Sequence, residues 1–70
     1  MSAEDASVDE LLDQVETMLS QSDSAHAVEL CSKILTVDKK NDEAYGLRAQ
    51  AYLQQGEGKK ALNDLDHSLQ

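Results

Sequence analysis

The chain has 70 residues, 14 of them acidic against 6 basic, for a formal net charge of −8. That charge repels nucleic acid and anionic membrane surfaces, and Lys39–Lys40 and Lys59–Lys60 are isolated pairs that do not offset it, so the sequence predicts no nucleic-acid and no membrane partner. A chain this short buries only about 60% of its unfolded surface, and with no Phe, Trp or Pro its core falls to Leu, Val, Ile and Ala in one small domain.

Residues 1–7 read as an acidic, polar, disordered leader with neither the basic n-region nor the apolar run of a signal peptide. No stretch approaches the ~18 apolar residues of a membrane span. One cysteine makes no internal disulfide, which suits a reducing compartment and gives a cytoplasmic location, or a nuclear one, as the expectation.

Ser7 followed by Glu10 is the S-x-x-E pattern of a capping box, so a first helix is predicted from about Val8 to about Ser20. Its apolar stripe is Leu11, Val15, Met18 and Leu19. After a polar break at 21–24, Asp23 or Ser24 caps a second helix from about Ala25 to Val37, striped by Ala27, Val28, Cys31, Ile34 and Leu35. Asn41 caps a third helix that runs to about Gln54 and stops where Gly56 adopts the left-handed conformation. A fourth starts near Lys59 and carries Ala61, Leu62, Leu65 and Leu69. Connections of about four residues force neighbouring helices to run antiparallel.

A 34-residue shift lays the second pair of helices on the first. Leu19 falls on Leu53, Gln21 on Gln55, Ala27 on Ala61 and Leu35 on Leu69. Such a period marks a stacked-repeat protein. The expected fold is therefore all-α, an α-solenoid of two stacked antiparallel hairpins, at residues 8–41 and 42–70. The segment from Tyr45 to Leu53, with Gly56 and Ala61-Leu62, resembles a tetratricopeptide repeat, and residues 8–41 resemble a weaker copy. Lys39 stands where that family prefers Pro, Ser22 where it prefers Gly, Leu11 where it prefers an aromatic residue and Arg48 where it prefers Leu.

The resemblance implies a non-catalytic protein-binding module, an adaptor or co-chaperone, whose first and third helices line a concave groove. The groove positions it implies are Asp9, Leu12, Glu16 and Leu19, then Glu43, Gly46, Gln50, Leu53 and Gln54. Leu12, Glu16 and Leu47 occupy positions that hold a basic clamp in members binding acidic chaperone tails, so the implied partner is a basic or amphipathic peptide. Two repeats without a polar last helix leave Leu62, Leu65 and Leu69 as an uncapped edge. The alternative function is thus a structural one, self-association or docking on a larger assembly through that edge.

Chemistry is not expected. Cys31 lies on a core stripe and reads as a buried hydrophobe. His26 and His67 read as solvated residues without metal-ligand spacing. Nothing pairs the acidic residues in an apolar pocket, the run Asp9, Asp13, Glu16 reads as a solvated helix face, and Tyr45 and Tyr52 read as core. No enzyme activity, metal or cofactor is expected.

Overall fold

Four helices account for the fold in the computed structural model, which describes residues 7–69. They are α1 (Val8–Ser20), α2 (Ser24–Val37), α3 (Asp42–Gln54) and α4 (Gly58–Leu69). The expectation of a disordered leader lies, apart from Ser7, outside the described residues. Among those described there is no strand, and no helix is long and apolar enough to cross a membrane.

Local chemistry sets each boundary. Ser7 Oγ accepts the Glu10 amide at 3.2 Å and Asn41 Oδ1 accepts the Ala44 amide at 2.8 Å, each satisfying a first-turn donor. Asp9, Glu10, Asp42 and Glu43 lie against the positive ends of their helix dipoles. Asp23 precedes α2 without capping it, because its carboxylate is turned to His26 Nδ1, 2.9 Å away. That carboxylate raises the His26 pKa above 6.5, through the hydrogen bond first and its charge second.

The two hairpin turns are copies of one another. The Asp23 amide donates to Met18 O (2.8 Å) and the Ser22 amide to Leu19 O (3.0 Å). The Glu57 amide donates to Tyr52 O (2.8 Å) and the Gly56 amide to Leu53 O (3.1 Å). This pattern ends a helix with one left-handed residue, and Ser22 (φ 60°) does what Gly56 (φ 76°) does. A side chain in that region costs roughly 1–2 kcal/mol, of which glycine's extra freedom in the unfolded chain returns about half. Ser22→Gly should therefore stabilise the chain by about 0.5–1 kcal/mol, read as a higher urea midpoint. An unchanged or lower midpoint would mean that the serine is not strained.

α3 is the central element and packs on all three others. It has no single apolar stripe, and it buries the small residues Ala44, Ala49 and Ala51, which let its neighbours approach closely. The core consists of Leu12, Val15 and Leu19 of α1, Ala27, Cys31 and Ile34 of α2, and Ala44 and Ala51 of α3. Several expected stripes shift accordingly. Leu11 and Met18 are only half-buried, whereas Leu12 is 5% exposed. On α3 the fully buried residues are alanines; Tyr45 and Tyr52 are half-buried and Leu53 is exposed.

Candidate functional site

Between α1 and α3 lies an open cleft of about 330 Å³, lined by Glu16, Leu19, Ser20, Leu47, Gln50 and Gln54. Four of the implied groove residues (Glu16, Leu19, Gln50 and Gln54) meet there. Leu12 does not: it belongs to the core cluster with Ala44 and Ala51, because α3 lies close enough to cover it. Asp9, Glu43 and Leu53 are exposed but off the lining, and Gly46 is half-buried beside it. Glu16 is the only charged lining residue, and Gln54 Nε2 donates across the cleft to Leu19 O at 3.2 Å.

The second polar feature holds α4 in place. Arg48 Nε donates to Asp64 Oδ2 and Arg48 Nη2 to Asp64 Oδ1, both at 2.8 Å, a bidentate pair. Arg48 Nη1 also donates to Ser32 Oγ of α2 at 3.1 Å. Its guanidinium carbon lies 5.7 Å from the Tyr45 ring centre and 5.9 Å from that of Tyr52, within cation–π range. Tyr45 in turn stacks on His67 at 4.8 Å. Asp64 is 2% exposed, so this acidic residue is buried and paired with Arg48. The bond to Asp64 drives the Arg48 pKa further up. His67, though exposed, is held by its tyrosine rather than free in solvent.

Burial pushes the neighbouring Cys31 thiol up to about 11, which keeps it protonated and unreactive at neutral pH. Among the described residues no group of three or more His, Cys, Asp or Glu side chains could hold a metal ion.

The remaining feature is apolar. α4 turns Ala61 and Asp64 inward and leaves Leu62, Leu65 and Leu69 63%, 40% and 86% exposed. The i, i+3, i+7 spacing puts the three leucines on one side of the helix, as along a coiled-coil seam. Their counterparts under the 34-residue shift are Val28, Cys31 and Leu35 of α2. Those are buried or half-buried, because α2 has helices on both sides while, among the described residues, α4 packs only on α3.

A family model for alkyl sulfatase dimerisation matches residues 3–66. The chain belongs to the alkyl sulfatase dimerisation family. This overturns the tetratricopeptide assignment, and with it the adaptor and co-chaperone roles that rested on it. The misleading likeness has a physical origin. Two helices of 13 and 14 residues joined by short turns give a repeat close to the tetratricopeptide period whatever their ancestry. The departures at Leu11, Lys39 and Arg48 were the warning, and Arg48 in particular holds the Asp64 pair where the other family places a leucine. An oligomerisation role accords with membership of the dimerisation family better than peptide capture does. No curated protein and no solved structure matches the chain.

Proposed function

We propose that this chain is a non-catalytic assembly module that holds two copies together through the leucine face of α4. The observation that carries the reading is the contrast between the exposed Leu62, Leu65 and Leu69 and their covered counterparts on α2. Membership of a dimerisation family supports it. The energetics agree in sign. Removing an exposed leucine from water contributes on the order of 1–2 kcal/mol, and a domain of this size has little stability to spare.

The geometry also favours one kind of pairing. Head-to-tail stacking would continue the internal repeat by placing α1 of a second copy on α4. α3 meets its preceding hairpin with Ala44, Leu47 and Ala51, but the counterparts on α1 are Glu10, Asp13 and Thr17, all exposed and polar. That face cannot bury leucines, and an open filament is disfavoured in the same way. The leucine face is instead suited to meet itself.

Sedimentation equilibrium tests the reading. The wild-type chain should sediment with the mass of two chains, and Leu62→Glu/Leu65→Glu with the mass of one at unchanged helical circular dichroism. The double change should weaken association by at least about 30-fold, the effect expected on losing a buried anchor. A wild-type chain that stays monomeric at millimolar concentration would refute the proposal.

A further inference from the structure

We infer that the two copies pair antiparallel about a two-fold axis at α4, held in register by reciprocal contacts between Lys59 and Asp66 of the partner subunit. This inference rests on the leucine face being the dimer contact, and it adds the partner's orientation. Lys59 and Asp66 are one heptad apart, so they lie on the same flank of the Leu62–Leu65–Leu69 seam. Both are exposed, and among the described residues neither has an ion-pair partner. Lys60, by contrast, is engaged over the Tyr52 ring at 5.6 Å.

The orientation follows from symmetry. A two-fold axis perpendicular to two antiparallel helices brings each flank against its own copy, reversed end to end. Lys59, in the first turn of α4, then lies beside the partner's Asp66, near the far end, and the pairing occurs twice. Leu62 and Leu65, which lie between positions 59 and 66, pack between the two pairs. In a parallel arrangement each flank would meet the opposite one. That flank carries Ala61 and Ser68, which hold no charge and are turned towards α3: Ala61 is 1% exposed, and Ser68 Oγ donates to Asp42 O at 3.4 Å. A parallel pair would therefore leave both charges unanswered and set two helix dipoles side by side in the same sense. Only the antiparallel arrangement satisfies the flank, and it closes on itself.

Charge exchange on the full chain tests this by sedimentation equilibrium at low ionic strength. Lys59→Asp alone and Asp66→Lys alone each set like charges opposite one another twice, and each should weaken the dimer about five- to tenfold. Lys59→Asp/Asp66→Lys together should restore the wild-type constant to within about twofold. Both positions are exposed, and circular dichroism will report whether the helices are kept. If the single changes weaken association and the double change does not rescue it, the antiparallel pairing is wrong. If Leu62→Glu/Leu65→Glu dissociates the dimer while the charge variants do nothing, the leucine face stands and this inference falls. A wild-type chain monomeric at every concentration overturns both.

Discussion

Asp64→Ala is expected to leave a large fraction of the chain unfolded at room temperature. The carboxylate is 2% exposed and answers Arg48 with two bonds of 2.8 Å. Removing it leaves the guanidinium, only 20% exposed, between Tyr45 and Tyr52 without its counter-charge. Breaking a buried pair from one side costs about 3–5 kcal/mol. A domain of this length has roughly 0.05–0.15 kcal/mol of stability per residue, a total of the same order. Urea titration followed by circular dichroism should thus show a midpoint near zero denaturant for Asp64→Ala. Arg48→Met/Asp64→Leu removes both charges and fills the space, and it should recover most of the loss, since a buried pair and an apolar substitute of like volume are often close in stability. A single variant with the wild-type midpoint would show that the pair contributes nothing. A double variant as unstable as the single one would show that Asp64 matters for something other than answering Arg48.

This pair also marks how far the sequence could be read. The helix ends were legible because each is set within a few residues: Ser7 with Glu10, Asn41 with Ala44, and the matched turns at Ser22 and Gly56. The start of α2 was nearly so, and the Asp23 carboxylate capping nothing does not shift the boundary. What lay beyond reach depends on which helix stands on which side. Leu12 lay off the stripe drawn for α1, and the tetratricopeptide resemblance put it in a groove, whereas α1 packs on both α2 and α3 and buries a wider arc. On α4 the three leucines were already read as an uncapped edge; what the pattern hid is that the end helix needs only a narrow inward face, which Ala61 and Asp64 fill. A signal for Asp64 did exist: Arg48 stands at an apolar position of the helix that α4 must pack on, and an acidic residue on the inward side of α4 is its natural answer. The repeat pattern concealed it, since the counterparts of Arg48 and Asp64 in the first hairpin are Gln14 and Leu30, which form no such pair.

Ala61→Leu is expected to destabilise the chain by about 1–3 kcal/mol, the usual effect of forcing methylenes into a filled core. Ala61 is 1% exposed, and its counterpart Ala27 is 0% exposed at the α1–α2 crossing, so a small residue stands at the same point of both hairpins. A leucine there drives α4 away from α3. Asp64 lies one turn further along the same face, so the displacement also stretches the two short bonds to Arg48. The two substitutions should then be non-additive. Ala61→Leu on the Asp64→Ala background should cost less than on the wild type, by at least about 0.5 kcal/mol, as for side chains that share one contact region. Because Asp64→Ala is itself barely folded, the cycle is best measured on the Arg48→Met/Asp64→Leu chain, where the pair is absent and the fold retained. An equal cost of Ala61→Leu on both backgrounds would mean that α4 tilts at its start without disturbing the ion pair. An Ala61→Leu chain as stable as the wild type would mean that the close approach of α3 and α4 is not what holds the second hairpin together.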